Sequence, residues 1–418
     1  MRTPKQIVKD ASRYKYYAGF SSEFVEDIVN RYARQGCRVL DPWNGSGTTT
    51  AVCAQRGIQS FGVDINPATI PLAWSRLASA QTVNKLVERL RNLGAHKLLT
   101  EFAEEGANDF SRIFFAEKTL HAIRSFRKCL IFLAKEVSVG LPEKEFYAIS
   151  GAAFVVLSRF TAEAIRSLRS TNPSWFVRPK SDNQRVQLDF VELEGLVSKV
   201  VGELDVLART LIRQDEFVWP KLVLADSKKD LRRLGEFDLV ISSPPYCTRI
   251  DYAIATIPEM LALGVTADEF ATLRTRITGS VVTVRDVEYG MANLAPAARE
   301  MLKAIGAHHT KAASAYYLRY FSSYFSDLAA TLDGVVRAAP KGTIVLVVQN
   351  SFFKEIEIDL CRVVIEHLER LGYLMIEKSS HLVRAPISDS NPRFKVYRDV
   401  NVKLEHALIF SNVLQKVI

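Results

Sequence analysis

The sequence predicts an α/β fold in which a parallel, doubly wound sheet is interrupted by a large helical insertion. Residues 37–64 read as strand, small-residue loop, helix and strand, which is the repeating unit of such a sheet. Long helical patterns then fill residues 68–215. Strand patterns ending in Asp226, Tyr246 and Asn350 follow, so we expect the sheet to be assembled from both ends of the chain.

The first elements follow from apolar spacing and from glycines. SEFVEDIVNRYARQ, residues 22–35, has helical spacing and precedes Gly36, a residue typical of helix ends. CRVLDP begins a strand and is followed by the tight loop of residues 45–47. TTTAVCAQRG continues as a helix that ends at Gly57, and IQSFGVDIN is a second β-rich run that includes Asp64.

The later segments set the predicted boundaries. Apolar spacing predicts two long helices, AEKTLHAIRSFRKCLIFLAKEV and EFYAISGAAFVVLSRFTAEAIRSL. The polar, basic residues 169–185, which lie between helical patterns, predict an exposed loop. YLMIEKSSHL and KLEHALIFS predict two closing strands. We therefore expect the first part of the core in residues 1–75, a mainly helical insertion in 76–215 and the second part of the core in 216–418.

Composition narrows the class of protein. The 418 residues are 48% hydrophobic, and 55 Lys plus Arg against 46 Asp plus Glu give a net charge of +9, which favours polyanionic partners. No apolar run is long enough to span a bilayer, and the N-terminus lacks the apolar stretch of a signal peptide. We expect a soluble cytoplasmic protein. Neither a zinc site nor a disulfide framework is expected, because no CxxC spacing occurs among Cys37, Cys53, Cys129, Cys247 and Cys361.

The segment DPWNGSGTT predicts a nucleotide site. Ligands of open α/β sheets lie at the carboxyl ends of the strands, where Asp41 and the glycines Gly45 and Gly47 are expected. A helix N-terminus follows the loop, and Asp64 at the end of the next strand can accept both hydroxyls of a ribose. The alternative is that the glycines only shape a turn and Asp64 caps the next helix. The absence of a GxxxxGK[ST] lysine disfavours a P-loop ATPase.

Two motifs resemble one enzyme family. DPWNGSGTT resembles the S-adenosylmethionine loop DPFxGSGTT of amino-group DNA methyltransferases, with Trp43 replacing the usual Phe. SPPY at 243–246 resembles the catalytic motif [DNS]PP[YFW] of the same family. The resemblance implies a Rossmann-like methyltransferase sheet with S-adenosylmethionine as cofactor, its ribose on Asp64 and its adenine beside Asp226. The residues implied in cofactor binding are Phe20, Ser21, Asp41, Pro42, Trp43, Gly45, Gly47, Thr48, Asp64, Ile65, Asp226 and Ser227.

The tetrapeptide suits transfer to an exocyclic base amine, which is a weak nucleophile because its lone pair is delocalised into the ring. The Ser243 hydroxyl and the Pro244 carbonyl can each accept an N–H hydrogen bond and so aim the nitrogen at the methyl group. Pro245 is expected to brace the turn. Tyr246 is expected to stack on a base that has been flipped out of the duplex.

The leading serine favours cytosine N4 as the target atom in the family that the motif resembles, whereas aspartate predominates among adenine N6 enzymes. Adenine N6 stays the alternative target. Two further alternatives are an RNA amino-group methyltransferase and a non-catalytic, methyltransferase-like subunit of a modification or defence complex. DNA is the expected macromolecular partner, and a restriction nuclease or a defence-system protein could accompany it.

Nucleic-acid contacts are expected outside the sheet, in the helical insertion and in residues 253–315. The polar stretch near residue 175 combines basic and aromatic side chains that suit phosphates and bases, although it could equally be a solvated face. RIDY after the tetrapeptide resembles a family extension that shapes the base pocket or contacts phosphate, and an internal Arg–Asp pair is the alternative. The candidate contacts are Arg178, Lys180, Arg249 and Tyr252.

Overall fold

The structure is a computed structural model. It describes residues 21–102, 108–170, 175–211, 217–229, 231–248, 250–282, 291–310, 316–382 and 404–412. Two of the predicted site residues, Phe20 and Arg249, lie outside these ranges.

The elements follow the predicted order. The first part of the sheet region contains α1 (Ser22–Tyr32), β1 (Arg38–Asp41), α2 (Thr48–Gln55) and β2 (Gln59–Asp64). The helical region contains α3 (Thr69–Ser75), α4 (Ala80–Thr100), α5 (Glu117–Val137), α6 (Glu143–Ala164) and α7 (Phe190–Ala208). The remaining elements are β3 (Lys221–Leu224), β4 (Leu239–Ser242), α8 (Tyr252–Ala255), α9 (Ile257–Leu263), α10 (Ala267–Arg276), α11 (Pro296–Ala307), α12 (Leu318–Ala338), β5 (Thr343–Gln349), β6 (Ser351–Phe353), β7 (Ile356–Ile358), α13 (Leu360–Arg370), β8 (Tyr373–Leu382) and β9 (Leu404–Asn412).

One sheet organises these elements, and it confirms the predicted fold class. Its strand order in the described residues is β3-β2-β1-β4-β5-β9-β8. The strands from β3 to β5 run parallel, and β9 is antiparallel to both of its neighbours. The strand order reverses between β1 and β4, so the crevice at their carboxyl ends is the place where an open α/β sheet binds ligands.

Helices cover both faces of the sheet. Successive residues of β1 point to opposite sides, so Leu40 packs in the apolar core beneath α12 and α13, whereas Val39 packs in the core with α1 and α2. Because both faces are covered, the central strands read as continuous apolar runs, as TIVLVV does in β5.

The helical region between β2 and β3 has an apolar core of its own, which α9 also joins. Phe126 of α5 and Phe160 of α6 meet edge to face with ring centroids 5.2 Å apart. One buried charge cluster lies here: the carboxylate of Asp109 accepts hydrogen bonds from Arg124 at 3.1 Å and from Arg127 at 3.4 Å. The division of the chain into a core and a target-recognition insertion stays a prediction.

Several boundaries differ from the sequence prediction. The strand β3 ends at Leu224, two residues before Asp226, and β4 ends at Ser242, so the tetrapeptide lies wholly beyond its strand. Consecutive prolines provide no N–H groups for the ladder, which explains the second difference. The helix α1 ends at Tyr32, and Gly36 instead adopts φ +76° in the turn before β1. The hairpin of β6 and β7 had no recognisable sequence pattern.

Within the described residues, no helix is both long and apolar enough to cross a membrane. The same residues contain no group of three or more His, Cys, Asp or Glu side chains arranged to hold a metal ion. All five cysteines are free and buried.

Candidate functional site

A cavity opens at the carboxyl ends of the central strands. The loop after β1, the end of β2, the residues after β3 and the tetrapeptide after β4 all contribute to its wall. Segments separated by roughly 200 residues in the chain meet here: the Ser242 hydroxyl donates a 2.5 Å hydrogen bond to Asp41 Oδ1 across a sequence separation of 201. Both resembling motifs therefore face one site.

Asp64 organises the loop as well as lining the cavity. Its Oδ2 accepts the backbone N–H of Gly45 at 2.8 Å, and its Oδ1 accepts the backbone N–H of Asn66 at 2.9 Å. Gly45 adopts φ +49°, a left-handed conformation that glycine takes without strain. Asp64 and Gly45 therefore do shape the turn. Asp64 also lines the cavity, where its carboxylate can accept hydrogen bonds from a ribose.

Gly47 is needed for packing and for conformation. It adopts φ +79° at the N-cap of α2, and a Cβ there would lie 2.6 Å from the Cβ of Ala73. It does not line the cavity. Thr48, the first residue of α2, does line it and brings the helix N-terminus to the wall.

The two acids that end β1 and β2 are buried, and this changes their ionisation. Burial raises the pKa of Asp41 to about 6, against hydrogen bonds from Ser242, Thr49 and Trp43 that lower it. Burial also raises the pKa of Asp64 to about 6, against the backbone hydrogen bonds of Asn66 and Gly45. Both groups are therefore poised to ionise only slightly below neutral pH.

Asp226 is held between a turn and two cations. Its Oδ1 accepts the backbone N–H of Lys228 at 3.2 Å, so it caps the turn after β3. Its Oδ2 lies 3.7 Å from Arg276 Nη2 and 4.0 Å from Lys228 Nζ. The adjacent Ser227 lines the cavity too, and its hydroxyl donates to the carbonyl of Pro42.

The tetrapeptide is braced by hydrogen bonds. The Ser243 hydroxyl donates to the carbonyl of Val347 at 3.0 Å, and it also lies within hydrogen-bonding reach of the Tyr246 side chain. The Pro245 carbonyl accepts the Tyr324 hydroxyl at 2.5 Å. In the described part of the chain, no hydrogen bond reaches the carbonyl of Pro244, which is buried just outside the cavity wall.

Tyr246 lies in the interior and away from the cavity wall. It is 6% exposed, and its hydroxyl donates a 2.5 Å hydrogen bond to Oε1 of Glu405 on β9. Burial, together with the nearby Glu405 carboxylate, raises the pKa of Tyr246 well above its ordinary value. Stacking on a base stays a prediction, and it requires the ring to leave Glu405 and turn towards the cavity.

Tyr252 is mostly buried, unlike an aromatic side chain that contacts nucleic acid at the protein surface. Its hydroxyl accepts the backbone N–H of Tyr246 at 2.9 Å, and it is 6% exposed while still lining the cavity. Its neighbour Asp251 forms an internal ion pair with Arg274 at 2.6 Å. This geometry agrees with a role in shaping the pocket, and the assignment of Tyr252 as a nucleic-acid contact stays a prediction.

Most of the predicted site residues converge on this cavity. Those in its wall are Asp41, Pro42, Trp43, Gly45, Thr48, Asp64, Ile65, Asp226, Ser227, Ser243, Pro245 and Tyr252. Those outside the wall are Ser21, which caps α1 through its hydroxyl, Gly47, Pro244 and Tyr246. Arg178 and Lys180 are exposed on the loop before α7 and do not line it.

Sequence reasoning missed one wall entirely. Arg276 at the end of α10, together with Ile277 and Thr278, forms part of the cavity wall beside Asp226. No motif marked these residues, because their contribution depends on where α10 packs. The cavity volume is ≈ 80 Å³, well below the roughly 300 to 1,000 Å³ of ligand sites, so a cofactor-sized ligand requires the cavity to widen.

Comparison with known proteins agrees with these motifs. Residues 3–74 match the model of the N6/N4 methyltransferase family, described as DNA methylase. The type II methyltransferase M.BsoBI of Geobacillus stearothermophilus is 26% identical over 283 residues, which cover 62% of this chain and 54% of that protein. The type II methyltransferase M.AvaI of Nostoc sp. strain PCC 7120 is 23% identical over 286 residues, covering 62% and 55%.

A shorter stretch is more similar to another relative. The type II methyltransferase M.Cfr9I of Citrobacter freundii is 34% identical over 67 residues, which cover 16% of this chain and 22% of that protein. The chain spans about half the length of the first two relatives, 54% and 55%.

Proposed function

We propose that this chain belongs to the N6/N4 DNA methylase family, to which residues 3–74 are similar, and that it transfers a methyl group from S-adenosylmethionine to an exocyclic amine of a flipped DNA base. The observation that carries the proposal is the convergence of both motifs on one cavity, with Ser243 in its wall and, in the described residues, no hydrogen bond to the carbonyl of the adjacent Pro244. Cytosine N4 is the proposed target atom because serine leads the tetrapeptide.

The residues present suit S-adenosylmethionine. The Asp64 carboxylate can accept the two ribose hydroxyls, Asp226 can accept an adenine amine, and the N–H groups at the start of α2 favour a carboxylate such as that of methionine. The cofactor supplies an electrophilic methyl group on a positively charged sulfur. An adenine amine would share the Asp226 carboxylate with Arg276, whose Nη2 lies 3.7 Å from Oδ2.

Methyl transfer then depends on alignment by the tetrapeptide. With the cofactor bound, Ser243 and Pro244 would accept the two N–H hydrogens of the amine and direct its lone pair at the methyl carbon. The proton released from the methylated nitrogen would pass to solvent. No covalent bond to the protein is needed, so positioning contributes most of the rate.

Nucleoside analysis tests the proposal and its choice of base. Purified protein incubated with S-adenosylmethionine and mixed-sequence duplex DNA is expected to yield N4-methylcytosine on hydrolysis and mass spectrometry. N6-methyladenine as the sole product would overturn the choice of cytosine but retain the reaction. Methylation of RNA alone would overturn the substrate, and no incorporation into either nucleic acid would favour a non-catalytic subunit. A partner nuclease or defence protein stays a prediction, which a pull-down from the native host would test.

The raised pKa of Asp64 predicts how cofactor affinity depends on pH. The ribose hydroxyls need the ionised carboxylate, so affinity for S-adenosylhomocysteine should be constant above the pKa of about 6 and fall by up to about tenfold per pH unit below it. The stability of the ligand-free protein should change in the opposite direction. Because the pKa of Asp64 is higher in the folded than in the unfolded chain, its protonation stabilises the fold as pH falls from about 6 towards 3.8, the pKa in the unfolded chain.

Titration calorimetry across pH 5 to 8, alongside thermal unfolding without ligand, measures both slopes. Asp64→Asn removes the titrating group, so its weaker affinity should lose most of this pH dependence. An affinity for S-adenosylhomocysteine that rises with acidification in the unmodified protein would contradict the assignment.

A further inference from the structure

A second cavity lies at the other end of the sheet. Residues 59–61 at the start of β2 and residues 219–222 at the start of β3 form one wall, and Trp74 of α3 with Tyr147 of α6 forms the other. Its volume is ≈ 400 Å³, within the roughly 300 to 1,000 Å³ typical of small-molecule sites. It is distinct from the cofactor cavity, because that cavity is built at the opposite, carboxyl ends of the same strands.

Aromatic rings dominate this second cavity. The ring of Trp74 lies 5.4 Å from that of Tyr147 and 5.9 Å from that of Trp219, with interplanar angles of 44° and 47°. Phe217 supports Trp219 edge to face at 4.8 Å. Tyr147 is 39% exposed, and Trp74 and Trp219 are half-buried. The tilted rings thus leave faces on which a planar ligand can stack.

The charges around the rings favour an anion. Lys144 and Lys221 are exposed in the wall, and the carboxylate of Glu143 is occupied by the Tyr147 hydroxyl.

A buried hydroxyl adds a polar group to the same wall. Ser60 is 1% exposed, and its Oγ has no hydrogen-bond partner in the part of the chain that the structure describes. A buried hydroxyl without a partner is unusual in a folded protein.

We propose that this cavity binds an unpaired nucleobase together with its phosphate. The base stacks against Trp74 and Trp219, and the phosphate lies between Lys144 and Lys221. A planar ring alone would not need the lysines, and a phosphate alone would not need the indoles. The source is either a free nucleotide or a single-stranded segment of DNA, since both present this chemistry.

Calorimetry with the full chain tests the proposal without any methyl transfer, so its failure is distinguishable from failure of the proposed function. With S-adenosylhomocysteine present to fill the first cavity, dAMP is expected to bind roughly tenfold more tightly than deoxyadenosine, which lacks the phosphate. Lys144→Ala combined with Lys221→Ala should abolish that difference. Trp219→Leu should weaken both ligands by about tenfold, and Trp219→Phe by less.

Matched measurements make the result specific. Lys303→Ala removes an exposed lysine of α11 that lines neither cavity and should leave dAMP binding unchanged. Unchanged affinity of the variants for S-adenosylhomocysteine shows that they are folded. A short single strand that binds about tenfold more tightly than dAMP identifies DNA as the source, and equal affinity identifies a nucleotide. No binding of dAMP, or binding unaffected by the lysine and tryptophan variants, overturns the proposal.

Discussion

Replacing Ser243 with alanine is expected to lower the rate of methyl transfer on the order of a hundredfold, while affinity for S-adenosylhomocysteine stays within about twofold. The hydroxyl is anchored on the carbonyl of Val347 at 3.0 Å, so its lone pairs are already oriented when the amine arrives. Losing a preoriented acceptor should affect the transfer step more than ground-state binding of DNA, so kcat should fall and KM should change little.

A conservative variant separates this chemical role from a structural one. Ser243→Asn restores an acceptor oxygen at the same position and should recover part of the lost rate. Tritium transfer from S-adenosylmethionine to DNA, measured under single-turnover conditions, gives the comparison. If Ser243→Ala transferred methyl groups as fast as the unmodified protein, the assignment of Ser243 would be wrong.

Replacing Asp64 with asparagine is expected to weaken S-adenosylhomocysteine binding by about 10- to 100-fold at pH 7.5. Hydrogen bonds to a charged group contribute roughly 1.5 to 3 kcal/mol, and the amide retains only one of the two acceptor oxygens. The new NH₂ group would also face the N–H of Gly45, which now donates to Oδ2 at 2.8 Å, so the loop loses a contact.

Titration calorimetry measures this loss, and Asp182→Asn is the matched control. Asp182 carries the same charge, its side chain is 87% exposed and it does not line the cavity. The control should bind S-adenosylhomocysteine as the unmodified protein does. If Asp64→Asn and Asp182→Asn bound S-adenosylhomocysteine with equal affinity, the ribose would not bind at Asp64.

The helices and strands of the sheet were predictable because each depends on local pattern. The apolar run before the tetrapeptide required a buried strand, and the glycines at 45 and 47 required a turn, which the structure confirms with φ of +49° and +79°. The two prolines required the strand to end at Ser242 even though the sequence prediction carried it to Tyr246.

Contacts between distant residues were decided only by tertiary structure. The sequence predicted that Tyr246 stacks on a flipped base and gave no sign that β9 brings Glu405 to its hydroxyl across a sequence separation of 159. Arg276 had no motif, and it enters the cavity wall because the end of α10 lies beside the residues after β3, with Arg276 Nη2 3.7 Å from Asp226 Oδ2. Such contacts depend on how whole elements pack, and local periodicity carries no information about that.

The sequence by itself therefore determined the sheet unit, the two motifs and the acids at the ends of the strands. Tertiary structure decided which of those residues face the cavity, which brace it and how ionisation is altered. Burial provides the physical reason: Asp41 and Asp64 read as ordinary acids in the chain, but removal from water in the folded protein raises the pKa of each to about 6.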